Sequence, residues 1–124
     1  MELKGNGKKA PILTAADTYL EVHPFDDWCV YENEMVEKAK IDPRAKLLLR
    51  LRLSNAVDCP IDKQGRILVP EFLRAHAKLE RDAMIVGVGP HIELWDKVRF
   101  DEDLLNTQAH HDEIELLVAK GLGD

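Results

Sequence analysis

The apolar and polar positions of this chain change period several times, and each change marks an element. Ile12 to Ala15 and Thr18 to Val22 predict two short strands around a turn at Ala16-Asp17. Pro24 then precedes a helix, with Asp26 as its expected N-cap, running through Trp28, Val30 and Tyr31 towards Ala39. Asp42-Pro43 starts a second helix, a capping carboxylate followed by a first-turn proline. On that helix Ala45, Leu47, Leu48 and Leu51 share a face, with Arg44, Lys46 and Arg50 largely elsewhere. Val57 to Ile61 reads as a strand, Ile67 to Val69 as a buried one, and Pro70 opens a helix over Glu71 to Ala77. Ala83 to Val88 and His91 to Trp95 form a hairpin around Gly89-Pro90, and Asp96 is placed to cap a helix from Lys97 to Leu105. Asp112 to Lys120 predicts a last helix, acidic at its start and ending in Lys120-Gly121.

The densest chemistry lies between the two central apolar runs. In Asp62-Lys63-Gln64-Gly65-Arg66, Asp at the first position and Gly at the fourth suit a type I turn, with Gly65 supplying a positive φ. The turn holds Lys63 and Arg66 at a hairpin tip. A planar, permanently charged fork on a rigid loop can grip phosphate or read guanine. The same residues are also compatible with a surface hairpin carrying an Asp–Arg pair and no ligand.

A repeat runs through the chain. With a shift of 72 residues, Ile12 falls on Met84, Leu13 on Ile85, Leu20 on Ile92, Glu21 on Glu93, Val22 on Leu94 and Trp28 on Phe100. Strand, turn, strand and helix start stay in register, so two copies of one unit are expected. Residues 1–53 read as a first copy that is incomplete, with connecting helices. Residues 54–105 read as a complete second copy and 106–124 as a helical tail, all within one structural domain.

Charge is distributed as unevenly as the motifs. The net charge of −6 divides into −4 over residues 1–42, +5 over 43–81 and −7 over 82–124. The basic block holds the turn, so a locally basic surface can meet phosphate despite an acidic whole. With 45% apolar and 32% charged residues the composition is that of a globular protein, and no membrane span is expected. Residues 1–9 are polar and rich in Gly and Lys, without the apolar core of an export signal. Cys29 and Cys59 lack C-x-x-C spacing and fit a reducing cytoplasm, Cys59 as a small core residue. His110-His111-Asp112-Glu113 offers ligand types, but adjacent histidines diverge on a helix, so no metal is expected there. No phosphate loop or nucleophile elbow is present, and neither catalysis nor a cofactor is expected. Trp28 and Trp95 are expected to be buried, and His23, His76 and His91 to be structural or exposed.

Asp62-x-x-Gly65-Arg66, followed by Val69-Pro70 and Phe72-Leu73-Arg74, resembles the MraZ family within the SpoVT/AbrB-type transcription factors. Met84 to Gly89 and Ile92-Glu93-Leu94-Trp95-Asp96 continue the likeness, which covers roughly residues 10–105. The resemblance implies an α+β fold with a swapped-hairpin, double-split β-barrel core. It implies a bacterial regulator of the division and cell-wall gene cluster, cytoplasmic and nucleoid-associated, binding repeated promoter elements in double-stranded DNA as a ring-like homo-oligomer. By the same resemblance Arg66 is the expected principal DNA contact and Lys63 a phosphate anchor. Read from the residues themselves, Asp62 and Gly65 support the turn, and Arg50, Arg52 and Arg74 are candidate phosphate contacts, although helix-surface ion pairs account for them nearly as well.

One departure from the family pattern stands out. The family's two interlaced copies carry two such turns, whereas the counterpart of Asp62 and Arg66 in the first copy falls before Met1. A start upstream of Met1, completion by another subunit, and a degenerate paralogue with weakened DNA binding all remain open. Each leaves an unpaired sheet edge in this chain as an expectation. The second functional expectation is accordingly a DNA-incompetent interaction or antitoxin-like protein that co-assembles with a full-length relative.

Overall fold

The computed structural model describes residues 9 to 123. Of the polar, Gly- and Lys-rich stretch at residues 1–9, all but Lys9 lies outside them. Ten elements follow in order: β1 (Ile12–Ala15), β2 (Leu20–His23), α1 (Phe25–Ala39), α2 (Pro43–Ser54), β3 (Val57–Asp58), α3 (Glu71–Ala77), β4 (Ala83–Val88), β5 (His91–Asp96), α4 (Lys97–Ala109) and α5 (His111–Gly123). The five strands form one antiparallel sheet in the order β3-β1-β2-β5-β4. It is an open α+β sheet, not a closed barrel.

The repeat is written into the hydrogen-bond register. Ile12, Leu13, Thr14 and Ala15 of β1 face His23, Val22, Glu21 and Leu20 of β2. Met84, Ile85, Val86 and Gly87 of β4 face Trp95, Leu94, Glu93 and Ile92 of β5, each pair displaced by the same 72 positions. The hairpins join through β2 and β5 with Glu21 opposite Glu93, so a pseudo-two-fold axis passes between these two carboxylates.

Period-two alternation gives the sheet two unlike faces. On one, Leu13, Ala15, Leu20, Val22 and Leu94 form the core with Cys59 and with Leu73 and Ala77 of α3. Ile67 and Val69 pack against this cluster from the segment leading into α3. Burial pushes the Cys59 thiol up to about 11, the signature of an inert core cysteine. The other face carries Thr14, Glu21, His23, Glu93 and Trp95 and is approached by α1 and α2.

Local signals place most boundaries. Asp42 caps α2 through a 2.9 Å bond from the Arg44 amide, with Pro43 behind it, and Asp96 caps α4 by accepting the Arg99 amide at 3.3 Å. Three expectations are corrected. Pro24, not Asp26, is the cap residue of α1, which leaves Asp26 in the first turn, where it complements the helix dipole. Ile67 to Val69 joins no ladder: Ile67 and Val69 lean on the core while Leu68 is 84% exposed. On α2, Leu47, Leu48 and Leu51 face outward, and the inward positions are Ala45, Leu49 and Arg52.

The expected open edge is at β4. There, Ile85 occupies the position of Leu13 in the other half, yet it is 68% exposed where Leu13 is fully buried. The difference has a visible cause. On its outer side β1 has β3, and its core face is covered by α3, whereas β4 ends the sheet.

Candidate nucleic-acid interface

Residues 62–66 fasten themselves. The Asp62 carboxylate accepts the amides of Gln64 at 2.9 Å and Arg66 at 2.7 Å. Across the same loop the Asp62 amide donates to the Arg66 carbonyl at 2.9 Å, and the Gly65 amide to the Asp62 carbonyl at 3.0 Å. Gly65 sits at φ 81°, in the left-handed region, and a side chain there would point into open space, so the backbone conformation alone accounts for the glycine. Gly65→Val is therefore expected to cost about 1–2 kcal/mol, read by urea denaturation, through backbone strain alone.

The consequence is a preorganised tip. Asp62 serves the turn's amides, and among the described residues it forms no ion pair with the Arg66 guanidinium. Lys63 and Arg66 are both exposed. An arginine held by its backbone while its fork stays free can pair with a phosphate or a guanine edge without first breaking an internal bond. Just past the turn, Arg74 is exposed on α3, and Arg50 is exposed on α2.

Arg52 is placed differently. It turns inward and donates through Nη1 to Glu21 Oε1, its side chain 14% exposed, and its guanidinium lies 5.7 Å from the centre of the Tyr31 ring. That geometry commits its charge to the sheet and removes it from the outward cations. His23 Nε2 shares Glu21 Oε1 at 2.9 Å, and His91 Nε2 lies 3.7 Å from Oε2. Pseudo-symmetry repeats the motif with other residues: Trp95 Nε1 donates to Glu93 at 2.8 Å as His23 bonds Glu21, and Tyr19 stacks on Trp95 as His91 stacks on His23. Glu21, His91 and Glu93 converge within 4.8 Å, and Arg52 already supplies the cation this cluster calls for.

Burial would raise the Glu21 pKa, but the His23 hydrogen bond and the charge and hydrogen bond of Arg52 outweigh it and hold it at about 2. A carboxylate depressed in the folded state stabilises the fold above its unfolded value near 4.5 and loses that contribution as pH falls through about 2. Urea unfolding across this acid window is expected to show a loss on the order of 3 kcal/mol that is absent in Glu21→Gln.

This cluster was not readable in advance as a unit, because Arg52 lies 31 positions from Glu21. The signal that could have found it is the repeat, which sets Glu21 directly against Glu93 and so demands a nearby cation.

A self-fastened D-x-x-G-R turn on a repeated hairpin unit invites comparison with known proteins. A family model described as "MraZ protein, putative antitoxin-like" matches residues 53–115. The "Transcriptional regulator MraZ" of Pediococcus pentosaceus is 35% identical over 107 residues, covering 86% of this chain and 75% of that protein. The chain belongs to the MraZ family. The MraZ regulator of Caldanaerobacter subterraneus is likewise 35% identical, over 87% of this chain and 76% of its own length. That of Desulfitobacterium hafniense is 41% identical over 81 residues, 65% of this chain and 57% of that one. The segment matched by the family contains the turn, α3, β4, β5 and α4. Among the described residues no helix is long and apolar enough to cross a membrane.

Proposed function

We propose that this chain is a sequence-specific DNA-binding transcriptional regulator of the division and cell-wall gene cluster, acting in the cytoplasm at the nucleoid. The observation that carries the reading is the exposed, backbone-locked Arg66 at the tip of the 62–66 turn, without an ion pair among the described residues. Arg66 reads a guanine edge in the major groove, Lys63 anchors a neighbouring phosphate, and Asp62 with Gly65 holds the tip. Arg50 and Arg74 add phosphate contacts. A single turn supplies too few contacts for operator affinity, so repeated promoter elements and a ring-like homo-oligomer raise it through effective concentration. In this reading the swapped-hairpin barrel closes when a further strand–turn–helix unit covers β4, as β3 and α3 cover β1. The test is a titration of the chain against the upstream DNA of its own operon beside a shuffled duplex, at low and physiological salt. Tighter binding to the operon DNA at both salts supports the reading, and equal binding to the two duplexes contradicts it.

The uncovered Ile85 and the open β4 edge favour a second reading. In it the chain is an interaction or antitoxin-like protein that co-assembles with a full-length relative carrying two turns. Mixing the chain with such a relative then yields a stable complex, and the relative's DNA binding changes with added chain. No complex, and no change, leaves the first reading alone.

A further inference from the structure

We propose that Gln64 is a specificity-determining residue of the 62–66 turn, reading an adenine close to the guanine that Arg66 reads. The role rests on the DNA-binding reading of the turn and adds a second base to it. The starting observation is how the loop is fastened. One carboxylate oxygen, Asp62 Oδ1, accepts two amides, that of Gln64 at 2.9 Å and that of Arg66 at 2.7 Å. Both residues are thus pinned to a single atom, their backbone nitrogens no farther apart than those two bonds laid end to end. That span is less than two base-pair steps of about 3.4 Å each. Between them Gly65 has no side chain, and its amide turns back to the Asp62 carbonyl. The lock that preorganises Arg66 therefore preorganises Gln64 as well.

The other four residues of the loop already have their tasks. Asp62 holds the amides, Gly65 supplies the positive φ, Lys63 is a point charge suited to phosphate, and Arg66 carries the guanidinium fork. Gln64 is exposed, and among the described residues its side chain takes part in no hydrogen bond. Its primary amide is the second planar edge on the loop, with donors on one side and an acceptor on the other. In the major groove such an amide donates to adenine N7 and accepts from adenine N6, just as a guanidinium donates to guanine N7 and O6. Guanine offers two acceptors, so the amide carbonyl would oppose O6, and a pyrimidine has no N7 to meet the donor. Gln64 and Arg66 therefore select unlike purines. The turn is built to recognise an adenine and a guanine within about two base-pair steps of each other.

The experiment titrates the full chain and Gln64→Ala against the operon's upstream duplex, its shuffled counterpart and two base-analogue duplexes. In one analogue 7-deazaadenine replaces adenine, and in the other 7-deazaguanine replaces guanine. Each removes the N7 acceptor and leaves Watson–Crick pairing in place. Gln64→Ala is expected to bind the operon duplex about 5- to 150-fold more weakly per engaged turn, with binding to the shuffled duplex unchanged. Wild type loses affinity on the 7-deazaadenine duplex, whereas Gln64→Ala binds that duplex as it binds the ordinary one. Both proteins lose affinity on the 7-deazaguanine duplex, because Arg66 is present in each. Circular dichroism should show the variant folded, since the Gln64 bond to Asp62 comes from its backbone amide. A wild type indifferent to 7-deazaadenine, or an equal loss in both proteins, overturns the role of Gln64. Sensitivity to 7-deazaguanine in that case leaves the Arg66 reading standing. Equal weakening of Gln64→Ala on operon and shuffled duplexes makes the residue a phosphate contact and also overturns its role. A wild type with no preference for the operon duplex removes the DNA reading, and this role with it.

Discussion

Arg52→Ala will destabilise the fold by about 3–5 kcal/mol, the largest effect expected of any single polar substitution in this chain. The magnitude follows from what the arginine leaves behind. Glu21 is buried and stands directly opposite Glu93 in the β2–β5 ladder. Without Arg52 two neighbouring carboxylates have only histidine and indole partners. Like charges in this position repel, and the buried one is no longer compensated. Urea denaturation near neutral pH measures the loss. The signature that distinguishes it from lost packing is its pH dependence. In wild type, stability falls as acid protonates Glu21, whereas in Arg52→Ala protonation removes the uncompensated charge, so stability rises on initial acidification. Glu21→Gln combined with Arg52→Met should recover most of the loss, because the buried charge and its partner leave together.

What the sequence made legible, and what it did not, separates along physical lines. Asp42-Pro43 and Asp96 set helix starts through bonds to amides two or three residues away, so local pattern sufficed. The Gly89-Pro90 hairpin and the 62–66 turn are local in the same sense, and Gly65 indeed takes its positive φ. The repeat went further, since a shift of 72 anticipates that β1–β2 and β4–β5 share a register. Ile67 to Val69 misled because a strand needs a neighbour, and apolar composition does not supply one. The face of α2 misled for a related reason. Leu47, Leu48 and Leu51 form a good apolar stripe, yet the sheet draws in Arg52, because its face holds a carboxylate that a leucine cannot neutralise. The sequence groups Arg52 with Arg50 and Arg74 as a candidate phosphate contact, and only tertiary placement moves it inward.

The second large effect concerns Arg66. Arg66→Ala should leave the fold intact, since the guanidinium is exposed and the turn is held by the Asp62 carboxylate and by backbone bonds. On the proposed reading its loss removes one bidentate base contact per engaged turn, about 1–3 kcal/mol each, so with several turns on repeated sites specific binding is expected to fall below detection. Lys63→Ala, at the proposed phosphate anchor, is expected to act otherwise. A phosphate anchor carries no sequence information, so binding to operator and shuffled DNA weakens alike and the salt slope drops by about one. The contrast between these two substitutions separates reading from gripping.

Whether the 62–66 turn reads DNA is decided by fluorescence anisotropy. Wild type and Arg66→Ala are each titrated against the operon's own upstream duplex and a shuffled duplex of the same composition at physiological salt. A turn that reads sequence gives saturable binding by wild type to the operon duplex alone, and loss of that preference in Arg66→Ala. Equal binding to both duplexes, unchanged by the substitution, would contradict it.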